Sequence, residues 1–151
     1  MISVTRTNSE DPDFNELVKL LDADLAVRDG SDHAFYAQFN KTDLIKHVVI
    51  AREEGTPVGC GAIKEFGPGI MEIKRMFVLP GYRKKGIASR ILGELESWAA
   101  ELNFSRCILE TGKKQPEAIQ LYLKSGYTPI PNYGQYAGIE NSVCFEKKLK
   151  Q

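Results

Sequence analysis

The spacing of apolar positions changes several times along the chain, and each change marks an element. Residues 2–7 alternate as a short strand. Asp11-Pro12 then makes a good N-cap and first-turn pair. Phe14, Leu17, Val18, Leu21 and Leu25 follow at helical spacing, and Gly30 marks the stop. A second short helix is expected over residues 33–39. Residues 47–52 and 57–65 read as two strands joined by a turn at Glu54-Gly55-Thr56. Gly67-Pro68-Gly69 is another turn, and residues 70–78 form the third strand of this meander.

After a loop over residues 79–85, Ile87, Ile91, Leu95, Trp98, Ala99 and Leu102 form the apolar stripe of a long helix. Cys107-Ile108-Leu109 is a short buried strand. Pro116-Glu117 opens a further helix with Ala118, Ile119 and Tyr122 on one face, and Gly126 ends it. Residues 127–130 and 142–149 complete the strands, with a proline- and asparagine-bearing loop between them. A meander followed by strand-helix-strand-helix predicts an α/β (α+β) fold, with a mixed, mostly antiparallel central sheet and helices on both faces.

The chain has 151 residues, the usual size of one domain, so residues 1–151 are read as a single core. Apolar residues make up 42% and charged residues 26%, which argues against disorder and a coiled coil. Twenty basic side chains balance twenty acidic ones, so the basic excess of a nucleic-acid or anionic-membrane binder is missing. Any bound anion must be held by a local arrangement. No apolar stretch approaches the ~20 residues that span a bilayer, and residues 1–6 lack a signal-peptide core, so a cytoplasmic protein is expected. Cys60, Cys107 and Cys144 lack the spacing of a zinc site or a disulfide framework; reduced, packed thiols and no metal are expected.

Arg83-Lys84-Lys85-Gly86-Ile87-Ala88-Ser89 carries the most chemistry. It follows a strand and opens the long helix, where unpaired backbone N–H groups point outward and the helix dipole is positive. Gly86 and Ala88 are small, so a bulky anion can approach the main chain, and Arg83, Lys84 and Lys85 add mobile cations. These features describe a pyrophosphate cradle. The same residues also fit a capped helix with solvated lysines. The segment is neither a Walker loop nor a G-x-G-x-x-G dinucleotide fingerprint.

Strand residues Met71 to Val78 followed by Arg83-Lys84-Lys85-Gly86-Ile87-Ala88 resemble the central motif of the GNAT superfamily of N-acetyltransferases, Q/R-x-x-G-x-G/A between the fourth strand and third helix. The run from Glu117 to Gly126-Tyr127 is similar to that family's second motif, a helix carrying a tyrosine and ending in Gly-Tyr or Gly-Phe. The resemblance implies a GNAT-like acyl-CoA N-acyltransferase fold and acetyl-CoA as cosubstrate. It places main-chain contacts to the pantetheine arm at Met76, Phe77 and Val78, and the pyrophosphate on N–H groups from Lys84 through Ser89. An amide-bearing arm can satisfy exposed strand groups as an added strand would. Gln115 stands where many members carry an asparagine that contacts the cofactor.

Acetyl transfer to an amine needs a base, since an alkyl ammonium with a pKa of about 10 is only ~0.1% free base at pH 7. The departing thiolate gains from a proton donor. Tyr122 occupies the second-motif tyrosine position and is the candidate acid; its apolar neighbours also fit a core aromatic. Glu72, eleven residues before Arg83, has the spacing of the catalytic glutamate of some members and is the candidate base. Strict alternation puts it on the side shared by Lys74, Met76 and Val78. An ordinary strand glutamate paired with Lys74 fits as well. Lys74 and Arg75 are either acceptor-binding groups or counter-ions. The Tyr133-Gly134-Gln135-Tyr136 loop reads either as a wall of the acceptor site or as a surface turn. Ser31-Asp32-His33 is read as a helix cap and not a triad.

The expectation is a cytoplasmic acetyl-CoA-dependent N-acetyltransferase acting by direct attack in a ternary complex. The leading acceptor is the primary amine of a small molecule or amino acid. A protein N-terminal acetyltransferase and a non-catalytic acyl-CoA-binding sensor are the rivals, and exposed edge strands leave a homodimer open.

Overall fold

The computed structural model describes residues 1–30 and 45–149, so the helix expected over residues 33–39 and the cap at Ser31-Asp32-His33 lie outside the described residues. Helix α1 (Pro12–Asp29) starts as its sequence dictates. The Asp11 carboxylate accepts the Asp13 N–H at 2.9 Å, Pro12 fills the first turn, and Gly30 ends the helix at φ 54°. Its buried face, Phe14, Leu17, Val18 and Leu21, meets Val48, Ile50, Cys60, Ala62 and Phe77 on one side of the sheet.

That sheet has seven strands in the order β1-β2-β3-β4-β5-β7-β6. Strands β1 (Ile2–Thr7), β2 (His47–Glu53), β3 (Thr56–Gly67) and β4 (Ile70–Val78) run antiparallel in succession. β5 (Arg106–Gly112) joins β4 in parallel, β7 (Ser142–Lys148) pairs antiparallel with β5, and β6 (Thr128–Ile130) takes the outer edge. The opposite face is covered by α2 (Ile87–Glu101), which buries Ile87, Ile91, Leu92, Leu95 and Ala99, and by α3 (Pro116–Lys124), which buries Tyr122. The mixed, mostly antiparallel sheet with helices on both faces is therefore as the pattern predicts. Among the described residues no helix is long and apolar enough to cross a membrane. All three cysteines are free and buried.

Leu102 departs from the expected stripe. It caps the end of α2, where the chain turns through Asn103 at φ 68°, and stays 39% exposed, while Leu92 takes a place in the core. Helix α2 lies so close to β3 that a Cβ on Gly61 would stand 2.9 Å from both Ile91 Cγ2 and Leu95 Cδ1, and 2.5 Å from Met76 Sδ.

Two irregularities of β4 shape the site. The β3–β4 register jumps from Ala62↔Lys74 to Cys60↔Phe77, so Arg75 and Met76 together oppose Gly61. Arg75 sits at φ 58°, a left-handed conformation uncommon for a residue with a side chain. This bulge reverses the alternation: Glu72 and Lys74 face the α1 side, whereas Met76 and Val78 join the core beneath α2. Glu72 therefore does not share a side with Met76 and Val78, because strict period-two counting ignores the inserted residue. Second, the β4–β5 ladder is limited to Ile70↔Arg106, Met71↔Cys107 and Glu72↔Ile108. Beyond Glu72 the two strands separate.

Candidate active site

The separation of β4 and β5 opens a cleft of about 570 Å³, within the range usual for small-molecule sites. Its floor is the stretch of β4 from Glu72 to Val78, and one end is the start of α2. Its walls include Leu21, Asp24 and Leu25 of α1, Glu110 to Gly112 of β5, and Gln115 to Tyr122 along α3. Of the residues singled out from sequence, Glu72, Met76, Phe77, Val78, Arg83, Lys84, Gly86, Ile87, Ala88, Ser89 and Tyr122 all line this cleft.

At the α2 end, Gly86 is the N-cap at φ 79°, and the first helical bond runs from the Arg90 N–H to the Gly86 carbonyl at 3.1 Å. The N–H groups of Ile87, Ala88 and Ser89 thus precede any intrahelical acceptor. A Cβ on Gly86 would find nothing within 4 Å, so open space stands directly over this turn. Two of the three cations differ from the mobile fringe expected of them. Arg83 is pinned: its Nε donates to the Val78 carbonyl at 2.9 Å and its guanidinium lies 5.7 Å from the Phe77 ring centroid. Lys85 turns to the Tyr82 ring at 5.5 Å. Lys84 is exposed and lines the cleft, with its backbone at φ 65°.

At the other end, Glu72 is 7% exposed. Its Oε2 accepts the Tyr133 phenol at 2.7 Å and its Oε1 lies 3.8 Å from Lys74 Nζ. Burial lowers the Lys74 ammonium from its ordinary value, with Glu72 opposing that effect. The Arg75 guanidinium donates to Asp22 of α1 at 2.5 Å, so it acts as a counter-ion that ties α1 to the bulge. Lys74 is likewise the neighbour of a carboxylate.

Tyr122 is a core aromatic that also borders the cleft. It is 5% exposed, packed on Tyr127 and Phe145, and it lines the cleft. Burial, and secondarily the Glu110 carboxylate, pushes its phenol well above the ordinary value of 10.0, so it keeps its proton at any physiological pH. Gln115 lines the same wall. Sequence reading missed two pairings: Tyr133 on Glu72, sixty-one residues apart, and Arg28 of α1 on Glu117 of α3. Neither leaves a local signal, because each depends on how the layers meet. Among the described residues no group of His, Cys, Asp and Glu could hold a metal ion.

Comparison with known proteins agrees with this geometry. The family described as Acetyltransferase (GNAT) family matches residues 14–127. An IAA acetyltransferase from Azospirillum brasilense is 40% identical over 102 residues, 67% of each chain. Four of the curated relatives that the chain matches are spanned over 50 to 67% of their own length. Among solved structures, a Klebsiella pneumoniae protein assigned as an acyl-CoA N-acyltransferase superposes with a TM-score of 0.83 at 28% identity, over 99% of both chains. A PaiA N-acetyltransferase from Thermoplasma acidophilum, solved with coenzyme A, shares the fold at a TM-score of 0.72 and 17% identity, over 98% of this chain and 99% of that one. With its splayed strands, open helix start and family match over three quarters of its length, the chain belongs to the GNAT family and is an acetyl-CoA-dependent acyltransferase.

Proposed function

We propose that this protein transfers the acetyl group of acetyl-CoA to the primary amine of a small molecule or amino acid, by direct attack within a ternary complex. The observation that carries this reading is the cleft itself. It joins a stretch of β4 that lacks a β5 partner, the open N-terminus of α2 and a buried carboxylate in one continuous space.

The residues present fit the cosubstrate. Past Glu72, β4 pairs with β3 but has no β5 partner, so the main-chain groups of Met76, Phe77 and Val78 on that open side suit an amide-bearing pantetheine arm. The Val78 carbonyl is the exception, being engaged by Arg83. N–H groups from Lys84 to Ser89, with the space above Gly86, suit a pyrophosphate. When bound, acetyl-CoA supplies a thioester carbonyl as electrophile and a thiolate as leaving group. Glu72 takes the proton of the acceptor ammonium, and Tyr122 holds a proton for the departing sulfur. Main-chain N–H groups of β4 near Val78 supply donors where charge develops. The name of the Azospirillum brasilense relative supports a small acceptor.

The test is release of CoA thiol from acetyl-CoA against amino acids, polyamines, aminoglycosides and N-terminal peptides. Turnover with one of the first two classes is expected. Turnover confined to peptides would move the assignment to protein N-termini, and binding of acetyl-CoA without turnover on any amine would favour a sensor. Glu72→Gln and Tyr122→Phe should each lower turnover by at least ~10-fold.

A further inference from the structure

The loop between β6 and β7 reaches across the sheet to the candidate base. The Tyr133 phenol donates to Glu72 Oε2 at 2.7 Å, and several contacts fix where that phenol starts. Its ring is met edge-on by Phe66 of β3 at 5.1 Å and by Tyr136 at 5.8 Å. The turn that follows is closed by the Tyr136 N–H on the Tyr133 carbonyl at 2.9 Å. Asn132 Nδ2 donates to the carbonyls of Ile139 and Ser142, both at 3.0 Å, and stitches the loop to itself. The hydroxyl is therefore presented from a fixed platform and not from a swinging side chain.

We propose that Tyr133 is a positioning residue that holds the Glu72 carboxylate in one orientation; this rests on Glu72 acting as the base. A phenol O–H donates best to an ionised carboxylate, and such a bond is roughly twice as strong as one between neutral groups. Tyr133 is well suited to stay a donor: burial first, and then the neighbouring Glu72, push its own proton loss far above the ordinary value. With Oε2 held by the phenol, Oε1 is the oxygen that turns toward Lys74 Nζ and toward an incoming ammonium. Other ionisable groups around this carboxylate are Lys74 and Arg75 on β4, Lys64 opposite it on β3, Glu110 on β5, Tyr136 in the loop and Cys144 on β7. All of them stay in place in the variant that tests the idea.

That variant is Tyr133→Phe, which keeps the ring and its edge contacts and removes one hydroxyl. With a mixture of amino acids and polyamines as acceptors, kcat for CoA release should fall roughly tenfold while KM for acetyl-CoA stays unchanged. Acetyl-CoA affinity by calorimetry should not change. Adding Tyr133→Phe to Glu72→Gln should cost less than about twofold more, since the two act as a unit. An unchanged kcat, or effects that multiply, would overturn the positioning role alone. Full turnover in Glu72→Gln would instead remove the base and this role with it.

Discussion

Arg28, in the last turn of α1, forms an ion pair with Glu117, in the first turn of α3, and so ties together two walls of the cleft that lie on opposite faces of the sheet. Asp24 one turn earlier steadies the same guanidinium at 3.1 Å, and Asp24 and Glu117 both line the cleft. Both partners are partly exposed, so the pair contributes little to stability. Arg28→Ala should speed both binding and release of acetyl-CoA by about 2–5-fold, the scale of a ~0.5–1 kcal/mol surface pair. Stopped-flow traces would read this directly, and unchanged rates would mean the ligand passes elsewhere.

Gly86 makes a sharper demand. Its φ of 79° strains any substituted residue, and β-branched ones most. A side chain there would also stand in the open space above the first turn of α2. Gly86→Val should weaken acetyl-CoA at least ~30-fold by calorimetry, through about 2 kcal/mol of combined strain and obstruction. Near-normal affinity would place the phosphates away from this turn.

Gly61 opposes the bulge of β4 and is crowded on three sides. Gly61→Ala should cost about 1–3 kcal/mol, which for a chain of this size lowers the melting temperature by about 3–8 °C. Because the crowding includes Met76 on the cleft floor, acetyl-CoA affinity should fall as well. Scanning calorimetry with and without ligand separates the two effects.

The buried hydroxyls and thiols make the fold sensitive to alkali. Burial holds Tyr122, Tyr127, Tyr133 and Tyr136 above their ordinary value of 10.0. It also raises Cys60 and Cys107 from 9.0 to about 12 and Cys144 to about 11. Each group binds its proton more tightly folded than unfolded. The resulting stability is complete below pH 9 and is lost as pH rises through the raised values. Denaturant midpoints should therefore be level between about pH 7 and 9 and fall steadily above pH 9. A midpoint unchanged at pH 11 would contradict the burial of these groups.

Much of the architecture was legible in the sequence because local rules and packing agree there. Asp11-Pro12 and Gly30 bound α1 as capping chemistry requires, and residues 70–78 form the strand that alternation predicts. The start of α2 was legible because a helix start advertises itself through glycine and flanking cations. What escaped was set by the third dimension. The left-handed Arg75 gives no sign in a strand-like run, yet it decides which side Glu72 faces. Arg83 reads as a free cation until the Val78 carbonyl is seen to hold it. Tyr133 reads as a loop residue until the sheet brings Glu72 to it.

With only three ladder positions between β4 and β5, the sheet is in effect two plates, β1 to β4 and β5 to β7, hinged along one short seam. A ligand lying in the gap would act as a rivet between them. Its loss would free the plates to swing about Ile70–Glu72, so cosubstrate occupancy and the stiffness of the whole molecule should rise and fall together.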